Sequence, residues 1–255
     1  MKVVRRIAEL ESAPGTGLVP TMGALHAGHR ALLSAARRES ERVVMSLFVN
    51  PAQFDDASDL AAYPRDEARD LAIAEEEGVD VVFAPGPGEL YPGGFATWVE
   101  PERTGAEGDA RPGHFRGVAT VCLKLFNIVR PERAYFGQKD AQQVAVIRRL
   151  VRDLDVPVEI RVVSIVRDDD GLALSSRNVL LAAEERERAL GLPRALQGAV
   201  GAVDPVAAAR ASLNGLAPDY VETVDLDGAT VLAAAVRVGS TRLIDNVLLE
   251  GDLEA

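Results

Sequence analysis

The chain has 255 residues, 47% hydrophobic and 26% charged, enough to bury a core without disulfide or metal staples and to form one large domain or two modest ones. Its formal net charge of -11 and pI near 4.9 argue against nucleic-acid phosphates and anionic membrane surfaces as partners, yet leave a few cations for a pocket that takes a small anion. The lone cysteine, Cys122, makes no intrachain disulfide, Met1 to Arg6 hold no apolar signal region, and no run approaches the ~20 apolar residues of a membrane helix, so the expected setting is cytoplasmic.

Gly17 to Pro20 is a short strand candidate, followed by a helix over His29 to Glu39. Arg42 to Val49 (RVVMSLFV) reads as a buried strand, Asp66 to Glu77 as a charged helix ended by Gly78, and Val79 to Ala84 as a third strand. Pro85 to Gly117 is rich in Gly and Pro, holds the only tryptophan, Trp98, and reads as a long excursion with a little extended structure. Val118 to Val129 is predicted helical, with Cys122 as an inert core thiol. Ala134 to Phe136 is a brief strand, Lys139 to Asp153 a helix, and Val158 to Val166 another strand. After Asn178 come helical patterns at Ala183 to Val200 and Pro205 to Leu213, then two strand-like stretches, Asp219 to Val224 and Arg242 to Leu249. The alternation predicts an α/β chain: a Rossmann-like parallel-sheet domain over residues 1–166 and a smaller α+β C-terminal domain over residues 167–255.

In open parallel sheets, ligands bind outside the carboxyl ends of the strands. Four polar clusters fall there: Thr21 to His29, Asn50 to Phe54, Gly137 to Asp140, and Arg167 to Asn178. His26 and His29 sit three apart across Ala27-Gly28, where small residues let backbone approach a ligand and a helix start offers its N–H groups to an anion. The same pair also fits surface histidines capping a helix; zinc fits less well, because no further ligand cluster is visible. Lys139-Asp140 opens a helix after Gly137 and gives a phosphate a point charge, with Gln142 and Gln143 one turn on, although Gly-Lys-Asp is also a common helix start. Asp168 to Gly171 lacks calcium-loop spacing and reads as a solvated acidic turn. Ser175, Ser176 and Arg177, on a loop hinged at Gly171, can clamp phosphate oxygens or simply cap a helix. Neither a P-loop, a G-x-G-x-x-G turn nor a nucleophile elbow occurs.

Taken in order, Pro20 to His29 (PTMGALHAGH), Phe48 to Phe54 (FVNPAQF), Tyr63-Pro64-Arg65, Tyr135 to Gln143 (YFGQKDAQQ), Asp170 to Asn178 (DGLALSSRN) and Arg242 to Asn246 (RLIDN) resemble the signatures of the pantothenate synthetase (pantoate–β-alanine ligase) family, among the H-x-G-H nucleotidyltransferases. Any one motif is shared more widely; the ordered set, spread over nearly the whole chain, carries the resemblance. It implies a Rossmann-like domain with a smaller domain closing over the site, a homodimer, and the joining of pantoate to β-alanine with ATP and Mg2+. By the same resemblance Met22, Gly23, Ala24, Leu25, His26, Ala27, Gly28 and His29 line the ATP site, with Gly137, Gln138, Lys139, Asp140, Val166, Leu174, Ser175, Ser176 and Arg177 completing it. His29 takes the role of proton donor, and His26, Lys139, Ser175, Ser176 and Arg177 meet phosphate charge. Gln53 and Gln143 hold pantoate, with Asn50 supporting that side. The chain departs from the pattern at Ala27, where many members carry an acid, and at Leu174, where Met is frequent. Of an acidic pair on the metal side only Asp70 survives, beside Arg69, and it is the one candidate protein ligand for the metal. Glu107 and His114 align with positions near the pocket and receive no role. Two other readings share H-x-G-H: a nucleotidyltransferase acting on a phosphate-bearing substrate, which lacks the Gln53 and Gln143 pair, and a non-catalytic nucleotide sensor. Net charge and compact length disfavour a third, a tRNA synthetase fragment.

Overall fold

The structure, a computed structural model, describes residues 1–54, 57–102, 105–226 and 228–253. The strands are β1 (Lys2–Val4), β2 (Thr16–Thr21), β3 (Arg42–Leu47), β4 (Val81–Phe83), β5 (Arg133–Gly137), β6 (Glu159–Val163), β7 (Ala217–Asp225), β8 (Ala229–Val238) and β9 (Thr241–Gly251). The helices are α1 (Ala27–Glu39), α2 (Ala57–Ala62), α3 (Glu67–Glu76), α4 (Pro87–Leu90), α5 (Ala106–Ala110), α6 (His114–Val129), α7 (Ala141–Asp153), α8 (Ala183–Ala189), α9 (Gly191–Ala199) and α10 (Pro205–Ser212). Among the described residues, no helix is long and apolar enough to cross a membrane.

Six strands form one parallel sheet in the order β1-β4-β3-β2-β5-β6, the Rossmann-like arrangement in which the order reverses between β2 and β5. Side chains alternate faces along each strand. Val19, Val43, Met45, Val82 and Tyr135 pack with Leu32, Leu33 and Ala36 of α1 and Ile73 and Ala74 of α3. Their neighbours Leu18, Val44, Val81, Phe83, Ala134 and Phe136 pack on the opposite face with α6 and α7. Strands buried on both faces read as unbroken apolar runs, which explains the sequence RVVMSL of β3.

Where β2 meets its two neighbours, the pairing is unequal. It pairs β3 at six positions but β5 only at Gly17 and Leu18. Past Leu18 the strands part, and Pro20, which has no N–H to leave unpaired, sits in the parted stretch. This parting opens the crevice that the site occupies.

Strands β7, β8 and β9 form a separate antiparallel sheet. The central strand β8 is buried on both sides: Ala229, Val231, Ala233 and Ala235 join the cluster of α6 and α7, while Leu232, Ala234, Val236 and Val238 join that of α9 and α10.

Several expectations shift. Helix α1 starts two residues before His29 because His26 caps it. The helix expected from Lys139 begins at Ala141, with Lys139 in a preceding 3-10 turn, Gln138–Asp140. The expected helix at Ala183 to Val200 breaks between α8 and α9, where Pro193 lacks an N–H for the helical ladder. Strands β1 and β8 were not expected. The excursion from Pro85 to Gly117 holds α4, α5 and the first turn of α6; residues 103 and 104 within it lie outside the described residues. Its aromatic side chains tie it down: Trp98 stacks on Tyr91 at 5.9 Å, Phe95 meets Trp98 edge-on at 5.1 Å, and the Tyr91 hydroxyl donates to Asn50 Oδ1 at 2.8 Å. Cys122 is 3% exposed, and burial pushes its thiol up to about 12, as an inert core residue requires.

Helix α6 reaches the turn Pro51–Gln53 because residue 117 is glycine. A Cβ there would stand 2.2 Å from the Ala52 carbonyl oxygen and 2.6 Å from the Gln53 nitrogen, both backbone atoms that cannot swing aside. Gly117→Ala is expected to lower unfolding stability by about 1–3 kcal/mol or more. Gly198→Ala, in α9 with open space around it, should be neutral or raise stability by up to about 1 kcal/mol. Urea titration followed by circular dichroism checks both; equal midpoints for the two variants would contradict the close approach of α6.

Candidate active site

A cavity of about 290 Å³ lies at the carboxyl ends of the parallel strands, over the parted β2 and β5. The loop after β2 reaches it through a tight turn at Gly23 (φ 82°) and Ala24 (φ 52°). The Asp70 carboxylate, on α3, accepts from Ala24 N–H at 2.9 Å and Leu25 N–H at 2.8 Å. Residue 23 has to be glycine, since a Cβ would stand 2.7 Å from Asp70 Oδ2 in a left-handed conformation. Asp70, expected beside a metal, is 2% exposed, both of its oxygens accept backbone N–H groups, and it does not line the cavity; here it holds the loop.

The loop delivers His26 as the N-cap of α1. The two histidines cap reciprocally: His26 Nδ1 accepts from Gly28 N–H at 3.1 Å, and His29 Nδ1 accepts from His26 N–H at 3.2 Å. The rings lie 4.1 Å apart. Because each Nδ1 is an acceptor, each Nε2 carries the ring proton. Burial, with the Lys139 ammonium nearby, pushes His26 down to about 4. Burial, with His26 and Lys139, pushes His29 down to about 3. The pair is therefore neutral at physiological pH and presents two N–H donors beside the positive end of a 13-residue helix.

The loop after β5 adds Lys139. Its turn is held by Asn246 of β9, whose Nδ2 donates to the carbonyls of Gln138 at 2.9 Å and Lys139 at 3.1 Å. The loop after β6 adds Ser175, Ser176 and Arg177: Ser175 Oγ accepts from Arg177 N–H at 3.2 Å. The loop after β3 adds Asn50 and Gln53. Asn50 is 1% exposed; its Nδ2 donates to Gln53 Oε1 at 3.0 Å and to the Gly117 carbonyl at 3.1 Å, so it acts behind Gln53. Gln53 Nε2 reaches Met22 Sδ at 3.0 Å.

Met22, His26, Gly28, His29, Asn50, Gln53, Gly137, Lys139, Asp140, Gln143, Val166, Leu174, Ser175, Ser176 and Arg177 thus share one cavity. Gly23, Ala24, Leu25, Ala27 and Gln138, expected there too, do not line it: Ala27 is exposed at the start of α1, and the others belong to the two loops that carry the lining residues. Asn178 lies behind as well, its Nδ2 donating to the Ala173 carbonyl at 3.0 Å.

The resemblance placed Glu107 and His114 near the pocket without a role; with Arg242 they line the cavity as a polar wall. Glu107 of α5 and Arg242 of β9 form a two-bond pair at 2.8 and 2.7 Å, and Arg242 Nε donates to Asp219 at 2.7 Å. Burial raises the Glu107 carboxyl, but the Arg242 guanidinium outweighs it and holds the group below the usual range. His114 Nδ1 lies 2.9 Å from the Gln53 carbonyl, and Arg111 Nη2 donates to the same oxygen at 3.2 Å. Arg167 grips Asp245 at 2.7 and 3.0 Å, tying the loop after β6 to β9. These contacts join residues up to 135 positions apart, so no local spacing announces them. The available signal was polar pairs such as Asp245-Asn246 inside an apolar strand.

Comparison with known proteins follows the same lines. A family model described as pantoate-beta-alanine ligase matches residues 1–248. The chain is 51% identical to the pantothenate synthetase of Roseiflexus castenholzii (strain DSM 13941 / HLO8), over 98% of this chain and all of that one (100%). It is 54% identical to that of Corynebacterium glutamicum (strain R), over 91% and 93%. Among solved structures, pantothenate synthetase from Thermus thermophilus superposes with a TM-score of 0.92 at 45% identity, covering 98% of this chain and 99% of that one. Pantoate-beta-alanine ligase from Francisella tularensis, complexed with beta-gamma ATP and beta-alanine, superposes at 0.84 with 35% identity, covering 99% of each.

The depressed histidines give a pH prediction. A free imidazole titrates near 6.5. His26 and His29 should keep the Nε2–H tautomer from pH 8 down to about 5 in nitrogen-15 spectra of the ligand-free protein, because their folded values lie at about 4 and about 3. The unfolded chain takes up protons as pH falls through 6.5 while the folded one does not, so this contribution to stability is full above pH 6.5 and erodes from there toward pH 4. A midpoint near 6.5 for both rings would rule out the buried, capped arrangement.

Proposed function

The chain belongs to the pantoate-beta-alanine ligase family, and from that membership we propose that it uses ATP to condense pantoate with β-alanine through a pantoyl-adenylate. In the first step a carboxylate oxygen of pantoate attacks the α-phosphorus of ATP, a P–O bond forms, and pyrophosphate leaves. In the second, the β-alanine amine attacks the acyl carbonyl, the amide bond forms, AMP leaves, and the ammonium proton passes to solvent. No protein nucleophile is required, so orientation and charge stabilisation supply the rate.

The observation that carries this reading is the meeting of His26, His29, Lys139 and the Ser175-Ser176-Arg177 turn in one cavity at the parting of β2 and β5. Two neutral imidazole N–H groups, an ammonium and the N-terminus of α1 offer donors and positive charge to a triphosphate. In this reading His29 donates toward the reacting phosphate, while His26, Lys139, Ser175, Ser176 and Arg177 hold charge on the pyrophosphate as it leaves. Gln53 and Gln143 receive pantoate, and Asn50 keeps Gln53 turned. The relative complexed with beta-gamma ATP and beta-alanine supports the two ligand assignments.

Mg2+ belongs to the proposal as the counter-ion of the nucleotide. Asp70 does not fit as its ligand, because both oxygens accept backbone N–H groups, and among the described residues there is no cluster of three or more metal-binding side chains. The ion is therefore assigned to phosphate oxygens and water, its usual partners. The two-domain division, 1–166 and 167–255, is part of the same reading; the apolar cluster that α9 and α10 form with one face of the antiparallel sheet supports it. So are a homodimer and a cytoplasmic setting.

The test is ATP–pyrophosphate exchange. Exchange should require pantoate and proceed without β-alanine; nucleotide binding with no pantoate-dependent exchange would overturn the adenylate. Lys139→Ala should fold normally and lose about 10²–10³ in exchange rate, the scale of one preorganised donor. Near-normal turnover would remove Lys139 from the mechanism.

A further inference from the structure

Strand β9 places a buried amide behind Lys139. Asn246 is 1% exposed. Its Nδ2 donates to the Gln138 and Lys139 carbonyls, and its Oδ1 accepts from Gln138 Nε2 at 3.0 Å. A carboxamide suits this place because it offers two N–H donors for two carbonyls and an oxygen for the facing amide. Asn246 is held in turn: Asp245 Oδ1 accepts the Asn246 N–H at 2.8 Å, and Arg167 Nη2 donates to the Asn246 carbonyl at 3.3 Å.

The two carbonyls belong to the Gln138–Asp140 turn, which is 3-10 rather than α, and the backbone at Asp140 (φ -97°, ψ 55°) departs from helical values. The direction in which Lys139 leaves the chain is set by this turn and not by α7. Elsewhere the antiparallel sheet is fastened to the N-terminal helices without Asn246: Arg148 of α7 donates to the Leu226 carbonyl at 2.7 Å and to the Leu253 carbonyl at 2.9 Å, and Ala233 and Ala235 join the cluster of α6 and α7.

We propose that Asn246 is a positioning residue for the ATP-dependent step: its amide sets the turn from which Lys139 reaches the triphosphate, so Lys139 is in place only while β9 is seated on that turn. This rests on the reading of Lys139 as a phosphate-binding residue. Seating of the antiparallel sheet and formation of the charged end of the site are then one event. Displacing a reacting group by about 1 Å costs on the order of 10²-fold in rate, which sets the expected scale.

The test is a double-mutant cycle on pantoate-dependent ATP–pyrophosphate exchange. Asn246→Asp has nearly the same shape and keeps an acceptor for Gln138, but turns its second carboxylate oxygen toward the two carbonyls. In the otherwise wild-type protein it should lower kcat by about 10–100-fold with KM for pantoate within about threefold, and in the Lys139→Ala background it should lower kcat by less than about threefold. Equal losses in both backgrounds, or no loss in the first, would overturn the proposal while leaving Lys139 its role. A Lys139→Ala enzyme working at full rate would overturn that role and the proposal together. Should N246D fail to fold by circular dichroism, Asn246→Ser, which keeps one hydroxyl donor, enters the same cycle under the same criteria.

Discussion

Strands β2 and β5 hydrogen-bond only at Gly17 and Leu18, and the gap beyond them is the constraint from which the site follows. In a parallel sheet whose order reverses at this pair, the chains leaving the two strands turn to opposite faces, and a crevice opens where no connection crosses. The β2 chain leaves through Gly23 to the start of α1; the β5 chain leaves through Gly137 to the turn before α7. Two loops, a helix N-terminus and an ammonium therefore meet around the crevice.

The electrostatics are local. A chain with net charge -11 still brings Lys139 to the cavity, while Arg111 and Arg242 there pair with Glu107 and Arg177 pairs with Asp59. The other acids nearby are engaged as well: Asp70 with backbone N–H groups and Asp245 with Arg167. The histidines contribute as neutral donors, because burial and Lys139 oppose their protonation. A neutral N–H can approach a phosphate oxygen without the desolvation cost of a second buried cation beside Lys139.

Much of the fold was legible in the sequence, and the reasons are physical. Alternating β and α patterns gave the parallel sheet, and the motifs at its strand ends named most of the residues that share the cavity. Strand β8 was hidden because a central strand buried on both faces, written ATVLAAAVRV, shows no alternation, and alanine suits a helix as well. Strand β1 was hidden because three residues carry no period. The excursion after β4 looked unstructured from its glycines and prolines, yet Tyr91, Phe95 and Trp98 gather into a small aromatic cluster that no spacing rule anticipates. The Glu107–Arg242 and Arg167–Asp245 pairs lie beyond such reasoning for the same cause: each is a long-range contact whose halves look like ordinary surface charges.

Those pairs also bear on what polar contacts do in the seam between β9 and the parallel-sheet loops. A buried ion pair adds little to stability once desolvation is counted, and apolar side chains of similar volume often hold as well or better. Stability of the seam comes instead from Val231, Ala233 and Ala235 against α6 and α7, where area leaves water without loss of hydrogen bonds. What the polar contacts add is direction. A two-bond guanidinium–carboxylate pair and a buried amide with all its partners satisfied are strong only in one geometry. Arg242 and Asn246 lie on one face of β9 and Asp245 on the other, all within the stretch of the strand that lines the cavity, so the part of the sheet that needs a single geometry is the part beside the site.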